Sequence, residues 1–266
     1  MSRPKVIDTF PFNNELDILQ MRLEELYDSV DAFVLCEARK DHQDHDKPLW
    51  YQDHKERFAP WADKIQAVIA GDMPSIKDDP DPWAREHAQR EFLGWGLAKL
   101  GLSDQDIVLQ SDVDEIPRAL YARNVRPQGK AWSFAQRGHF FAVDWLYPFA
   151  WYGTVAMTVK SLGALRPERR FAYMRDLRLT CECPPHLQDA GWHFSWLGGA
   201  DAAMAKVGMY CHPEVTDRIV DGLASDRFLR GGWHVDGAKM TPVDVNDEWP
   251  AYIRERRCPD VWFRPR

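Results

Sequence analysis

The chain has 266 residues, of which 45% are hydrophobic and 28% charged, and its formal net charge at pH 7 is −7. This length is enough for one large domain with its own core, and the composition is that of a globular protein. The acidic balance argues against a protein that binds nucleic acid or an anionic membrane through its net charge. Because no run of about 18 apolar residues occurs, the sequence predicts no transmembrane segment.

The N-terminus and the cysteines bear on the compartment. The opening sequence MSRPKVIDTF lacks the apolar core of a signal peptide, and the cysteines number five, which is odd. Cys181 and Cys183 are too close together for the usual zinc spacing, and no second pair completes a site. We therefore expect a cytoplasmic protein with reduced cysteines rather than a disulfide framework.

Strands and helices alternate along the first 111 residues. Apolar strands are predicted at residues 5–10, 31–37, 64–70 and 107–110. One helix is predicted to begin at Asn13 or Asn14, and a second to run over 82–100, between Pro82 and Gly101. This alternation predicts an α/β fold with a Rossmann-like, mostly parallel sheet and right-handed crossovers.

The second half of the chain has a different pattern. Beyond Pro117 the sequence predicts β segments at 132–146, 153–159 and 191–197, and helices at 200–210 and 215–230. No linker or repeat separates the two parts. We therefore predict a single domain over 1–266, with a nucleotide-binding half (1–117) and a mixed α/β acceptor half with a C-terminal tail (118–266).

The segment DIVLQSDVDEIP, residues 106–117, is the most informative motif. An apolar strand ends in Asp112 and Asp114, whose i, i+2 spacing directs both carboxylates to the same side of the backbone. Mg²⁺ and Mn²⁺ prefer such oxygen ligands, although an Asp-rich turn after a strand is also common. Glu115 either supports these aspartates or caps the next turn.

Other candidates for ligand contact lie at strand ends and on the helix over 82–100. Ligands of α/β sheets bind beyond the carboxyl ends of the strands, which places Phe10, Glu37 and Asp112 on one rim. Arg85 and Arg90 are suited to phosphate. Arg90 also has an alternative partner in Glu86 at i−4, and Glu37 could be an ordinary loop carboxylate.

Histidines and tryptophans supply a third set of candidates. His193, between Trp192 and Phe194, could ligate a metal, line a donor pocket or be a satisfied core residue; His212 and His234 are rival ligands. The loop DHQDHD at 41–46 is a metal site or, alternatively, a solvated acidic loop. The 12 tryptophans, Trp192, Trp196 and Trp233 among them, suit stacking on sugar rings, although Trp is also a core residue.

Three strings occur in order: VIDTFPFNNELDILQMRLEELYDSVDAFVLCEA, SDVDEIP and GWHFSW. Together they resemble glycosyltransferase family 17, over roughly residues 5–240. The resemblance implies the nucleotide-sugar transferase (GT-A type) fold, UDP-N-acetylglucosamine as donor, Mn²⁺ or Mg²⁺ as cofactor, and a glycan hydroxyl as acceptor, with β-1,4 linkage. It also implies metal binding by Asp112 and Asp114.

The animal members of that family carry a membrane anchor and a lumenal stem, which this sequence lacks. We therefore expect the acceptor to be a bacterial glycan, a lipid-linked oligosaccharide reached by peripheral membrane contact, or a polysaccharide precursor. For an inverting transfer, Asp201 is the candidate general base, with Asp144 and Glu182 in reserve; alternatively, Asp201 is an ordinary first-turn aspartate. Rival functions are transfer from another nucleotide sugar, non-catalytic carbohydrate binding, and metal-dependent phosphohydrolysis.

Overall fold

The computed structural model describes residues 3–129, 131–179 and 186–265. Within them, ten strands form one sheet: β1 Val6–Pro11, β2 Ala32–Glu37, β3 Ile65–Ile69, β4 Ile107–Gln110, β5 Glu115–Pro117, β6 Trp132–Phe140, β7 Trp145–Thr158, β8 His186–Leu187, β9 Gly191–Ser195 and β10 Thr241–Pro242.

The α-helices of the same residues surround this sheet. They are α1 Leu16–Leu26, α2 Trp50–Asp53, α3 Pro82–Glu91, α4 Leu93–Leu97, α5 Ala119–Asn124, α6 Val159–Gly163, α7 Arg170–Asp176, α8 Gly199–Val207, α9 Thr216–Ala224 and α10 Ala251–Arg254. No helix of the described chain is long and apolar enough to cross a membrane.

The first half of the sheet is parallel, as the sequence predicts. Strands lie in the order β3-β2-β1-β4, and every pair among them is parallel. Side chains alternate between two cores: Phe33 and Leu35 of β2 pack on one face, and Val34 and Cys36 on the other. Because both faces are covered, most residues of these strands are apolar.

The second half of the sheet is mixed, so the prediction of a mostly parallel sheet is wrong. β7 pairs antiparallel with β4 and with β6, β9 pairs parallel with β6, and β5 pairs antiparallel with β9. Only four residues, 141–144, separate β6 from β7. A connection this short closes a hairpin, and a hairpin is necessarily antiparallel. The sequence pattern had merged this turn into one β segment over 132–146.

Two helix predictions also need correction. The helix predicted over 82–100 divides into α3 and α4, and Gly96 explains the close packing of the second part, since a Cβ there would lie 2.3 Å from Val34 Cγ1. Helix α1 begins after Glu15 rather than after an asparagine. The Glu15 carboxylate accepts hydrogen bonds from the backbone N–H groups of Asn13 and Asn14.

The cysteines within the described residues are free thiols. Cys36, Cys211 and Cys258 are all buried and unpaired with one another. Burial raises the pKa of Cys36 and of Cys211 to about 12, so both remain protonated at neutral pH. Cys181 and Cys183 lie outside the described residues.

Candidate active site

A cleft of about 1510 Å³ lies beyond the carboxyl ends of β1 and β4. Single small-molecule pockets are typically roughly 300–1,000 Å³, so this cleft has room for two ligands side by side. Both halves of the sheet contribute to it: the segments after β1 and β4 and helix α3 line one side, and α7, β7, β9 and α8 line the other.

The segment after β4, residues 111–115, is here called the aspartate loop, and it is built around a buried arginine. Arg22 of α1 has no solvent exposure and forms a bidentate ion pair with Asp8 at 2.7–2.8 Å. Its Nη1 donates to the carbonyl oxygens of Asp112, Val113 and Glu115 at 2.9–3.1 Å. One guanidinium therefore fixes three backbone groups of the loop at once.

Glu115 closes the same loop and ties it to the other half of the molecule. Its carboxylate accepts the backbone N–H of Asp112 at 2.8 Å, the indole N–H of Trp151 at 2.8 Å, and Arg178 Nη1 at 2.5 Å. The side chain is fully buried. Of the two interpretations that the sequence leaves open, the structure supports the first: Glu115 holds the aspartate-bearing backbone in place.

Asp112 faces a cluster of arginines. Arg90 Nη2 lies 2.5 Å from its Oδ1 and Arg175 Nη2 lies 3.8 Å from its Oδ2, while Arg90 is also paired with Glu86. Burial would raise the pKa of Asp112, but Arg90, Arg175 and Arg178 outweigh it and hold that pKa well below its usual range. The carboxylate is therefore ionised at neutral pH.

Asp114 lies against a different pair of partners. Lys206 Nζ is 3.4 Å from its Oδ2 and His193 Nε2 is 3.6 Å from its Oδ1. Burial raises the pKa of Asp114, but Lys206 and His193 outweigh it and lower that pKa to about 2. The His193 ring is stacked on Trp151, with ring centres 4.2 Å apart, and meets the Phe140 ring edge-on.

The aspartate loop offers a divalent cation suitable oxygen donors but not a complete cage. Asp112 and Asp114 both line the cleft. Among the residues that the structure describes, no group of three His, Cys, Asp or Glu side chains could enclose a metal ion. A cation held here would therefore need ligands from water or from a bound phosphate, which is the usual arrangement for Mg²⁺. On that basis the two residues fit a metal shared with a phosphorylated ligand.

Three cations of the cleft were not anticipated from the sequence. Arg175, Arg178 and Lys206 reach it from α7, the turn after α7, and α8. The Nε atoms of Arg175 and Arg178 are buried without a hydrogen-bond partner among the described residues. Basic residues on short helices are common on protein surfaces, so the sequence gives no signal for these three. Only their position close to Asp112 and Asp114 distinguishes them from ordinary surface residues.

Two further histidines line the cleft. His212 Nδ1 lies 2.7 Å from Glu214 Oε1, and the His212 side chain is 44% exposed. His234 Nδ1 lies 2.9 Å from Asp236 Oδ1, and the His234 side chain is only 14% exposed. Both histidines are thus already paired with a carboxylate. Among the described residues, neither contacts the aspartate loop in a way that would support the metal-ligand role considered for it.

Three sequence candidates for ligand contact do not line the cleft. Phe10 is fully buried below the rim, with the Arg22 guanidinium 4.4 Å from its ring centre. The Glu37 carboxylate accepts the N–H groups of residues 51 and 52 at the start of α2. Arg85 donates to the carbonyl oxygens of His42 and Asp79, so it fastens loops to α3. The structure gives these three residues packing and anchoring roles.

The two candidate bases within the described residues, Asp201 and Asp144, do not line the cleft either. Asp201 is exposed and does not line the cleft, because the face of α8 that does so carries Ala202, Ala205 and Lys206, a different phase of the helix. Asp144 accepts the backbone N–H and the Nε–H of Arg264 near the C-terminus. Glu182 lies outside the described residues. The structure gives no support for Asp201 or Asp144 as the general base.

The tryptophans and the 41–46 loop divide between packing and the cleft. Of the three tryptophans proposed to shape a sugar pocket, only Trp196 lines the cleft, whereas Trp192 is buried in the core beneath Arg118. Trp83, Trp151 and Trp262 line it as well. Within the loop, Asp41 and His42 line the cleft, and His42 lies 3.2 Å from Gln89 Oε1.

Comparison with known proteins identifies the chain's relatives. The human β-1,4-mannosyl-glycoprotein 4-β-N-acetylglucosaminyltransferase is 28% identical over 216 residues, and the rat protein of the same name is 27% identical. Each match covers 72% of this chain, which spans about 40% of the length of these relatives. A solved mycobacterial protein superposes over 94% of the chain and 88% of its own, at a TM-score of 0.42 and 12% identity.

The family model supplies the decisive match. It is the model of glycosyltransferase family 17, and it matches residues 1–227, a range that contains the aspartate loop, α7, β9 and α8. That range is well over half of the chain. The chain belongs to glycosyltransferase family 17.

Proposed function

We propose that this protein is a metal-dependent, inverting glycosyltransferase that moves N-acetylglucosamine from UDP-N-acetylglucosamine to a glycan hydroxyl. Family membership supports glycosyl transfer from a nucleotide sugar, and the activity named for the human and rat relatives supports N-acetylglucosamine and a β-1,4 linkage. The observation that carries the proposal is the convergence of four cations on Asp112 and Asp114 at one end of a large cleft.

The charges of this region match a metal–diphosphate ligand. Arg90, Arg175, Arg178 and Lys206 provide four positive charges, and Glu86, Asp112, Asp114 and Glu115 provide four negative charges. A diphosphate with two negative charges and a divalent cation together add no net charge to this balance. The four cations can therefore hold a diphosphate, and a divalent cation at Asp112 and Asp114 would offset its charge.

In the proposed reaction, each group has one task. Arg175 and Lys206 donate to the diphosphate oxygens as the leaving group gains charge, in the manner of an electrostatic clamp. When bound by Asp112 and Asp114, the divalent cation supplies Lewis-acid stabilisation of the same oxygens. Arg22 and Glu115 keep the two carboxylates in position, so that little reorganisation is needed when the donor binds.

Calorimetric titration with UDP-N-acetylglucosamine, with and without Mn²⁺, tests this assignment. We expect binding to strengthen with Mn²⁺, and Asp114→Asn to abolish that gain and to lower turnover by about 100-fold or more. Asp46→Asn is the matched control, since its side chain is 92% exposed and does not line the cleft. Binding that is indifferent to Mn²⁺ in the unaltered protein would rule out the metal role of Asp112 and Asp114.

The same experiment separates the rival functions. Tighter binding of another nucleotide sugar would show that this sugar is the donor and would leave the proposed reaction class unchanged. Donor binding without any release of UDP would favour a carbohydrate-binding protein. Release of phosphate from simple esters, without a sugar acceptor, would favour a phosphohydrolase.

The acceptor and the compartment extend the proposal. We propose a bacterial glycan, a lipid-linked oligosaccharide or a polysaccharide precursor as acceptor, and a cytoplasmic location, in keeping with the free thiols of Cys36, Cys211 and Cys258. Transfer of labelled N-acetylglucosamine to an array of such glycans, with the β-mannosides named for the relatives included, measures the acceptor preference directly. Labelling confined to other glycan classes would overturn this choice of acceptor.

A further inference from the structure

We propose that His234 and Asp236 form the general base of the transfer reaction, a role that rests on the proposed function. His234 is the group that removes the proton of the acceptor hydroxyl, and Asp236 positions it. The structure brings together a histidine in the cleft, a carboxylate on one of its ring nitrogens, and a second ring nitrogen without a partner.

The pair has the geometry of a base and its orienting group. Nδ1 of His234 lies 2.9 Å from Oδ1 of Asp236 and 3.5 Å from the backbone nitrogen of Asp236. Because an ionised carboxylate only accepts hydrogen bonds, the closer of these two contacts favours the tautomer with the proton on Nδ1. No hydrogen bond to Nε2 occurs among the residues that the structure describes, and the His234 side chain lines the cleft. An imidazole in this tautomer presents an unprotonated nitrogen to a ligand.

Asp236 is itself held by two donors. Tyr147 Oη donates to its Oδ2 at 2.5 Å and the backbone N–H of Ala238 donates to its Oδ1 at 2.8 Å. Burial and the nearby Asp236 raise the pKa of Tyr147 to about 12, so its hydroxyl stays protonated and remains a donor at neutral pH. The carboxylate is therefore fixed in the orientation that His234 requires.

The position of the pair relative to the aspartate loop suits the reaction. The centre of the His234 ring lies 4.3 Å from that of Phe140, and Phe140 also meets the ring of His193, the partner of Asp114, at 5.1 Å. Diphosphate at Asp114 and base at His234 would thus lie along one wall of the cleft, with aromatic side chains between them. Such a surface suits the apolar face of a sugar ring.

The proposed step requires only the donor, the acceptor and the His234 side chain. Nε2 of His234 takes the proton of the acceptor O–H, and the oxygen forms a bond to the anomeric carbon of the donor. The bond from that carbon to the diphosphate oxygen breaks, and its electron pair leaves with UDP. The proton remains on the imidazolium, which Asp236 stabilises, until solvent removes it.

The pH dependence follows from the surroundings of His234. Tyr147 of β7, His193 of β9, Arg218 of α9, Lys239 and Asp236 are the charged or titratable groups around it. Burial is the largest effect and lowers the pKa of His234 below its ordinary value of 6.5. Since the unprotonated form is the base, turnover should be constant near neutral pH and should fall only below that lowered value.

The test uses His234→Ala in the full-length protein, with UDP release from UDP-N-acetylglucosamine and Mn²⁺ as the assay. The acceptor is p-nitrophenyl β-mannoside in one arm and water in the other. We expect kcat to fall about 100- to 10,000-fold, donor Kd to change less than about twofold, and added imidazole to restore part of the lost rate. His45→Ala is the control, because His45 also pairs with an aspartate but does not line the cleft.

A second variant distinguishes chemistry from folding. Asp236→Asn keeps the imidazole but removes the charge that favours its protonation, so the acid limb of the pH–kcat profile should move to lower pH as kcat falls. Full turnover in His234→Ala, or a loss that neither imidazole nor pH modifies, would overturn the dyad alone. Failure of the unaltered protein to bind any sugar nucleotide, with or without Mn²⁺, would overturn the proposed function itself.

Discussion

The two halves of the sheet differ in where their polar side chains lie. The parallel half, β3-β2-β1-β4, packs against an apolar core on each face and holds the fully buried ion pair of Arg22 with Asp8. The mixed half, β7-β6-β9-β5, directs aromatic and charged side chains into the cleft, and several of their polar atoms have no partner among the described residues.

This difference indicates that the two halves have different roles. The parallel half positions the aspartate loop. Strand β4 leads directly into the loop, and Arg22 of α1 holds the loop backbone in place. The mixed half and its helices bring Arg175, Lys206 and His234 to the cleft, and the proposed reaction assigns these three groups to ligand binding and catalysis. Substitutions in the two halves should therefore affect different measurements.

The largest effect is expected from Arg22→Ala in the parallel half. Removal of this guanidinium leaves Asp8 as an unpaired buried charge and frees three loop carbonyls, so the free energy of unfolding should fall by about 3–5 kcal/mol. Urea unfolding followed by tryptophan fluorescence measures this. Arg3→Ala is the control, since Arg3 pairs with Asp31 at the surface and should cost at most about 1 kcal/mol. Equal losses in the two variants would refute the structural role of Arg22.

A smaller effect, of a different kind, is expected from Arg175→Gln in the mixed half. Arg175 lies 3.8 Å from Asp112 and has a buried, unpartnered Nε, so its loss should weaken UDP binding in the presence of Mn²⁺ about 10- to 100-fold. Calorimetry measures this change, and urea unfolding should show little loss of stability. Arg166→Gln on the exposed surface is the control. Unchanged UDP affinity would remove Arg175 from the proposed diphosphate clamp.

The smallest effect is expected from Asp201→Asn. This side chain is exposed and lies outside the lining of the cleft, so turnover should remain within about twofold of the original value. UDP release under saturating donor measures it. A loss of 100-fold or more, with donor affinity retained, would restore the sequence-based assignment of Asp201 as the base and would displace His234.

The sequence predicted much of the parallel half because its signals are local. Continuous apolar runs identified all four parallel strands to within one or two residues, and the abrupt change from Leu109 to Asp112 located the loop at the carboxyl end of the fourth. The role of Arg22 was not predicted, although it lies in a helix that was. Its partners come from residues 14 to 93 positions away, and no periodicity reports such contacts.

The remainder depended on tertiary structure. The phase of α8 decided that Lys206 rather than Asp201 reaches Asp114, and a four-residue turn decided that the second half is antiparallel at β6 and β7. The sequence by itself determined the buried strands, the carboxylate pair and, by resemblance, the family, because those depend on neighbouring residues and ordered motifs. Which charges face that pair, and which histidines reach the cleft, depends on side chains brought together from distant segments, and only packing decides that.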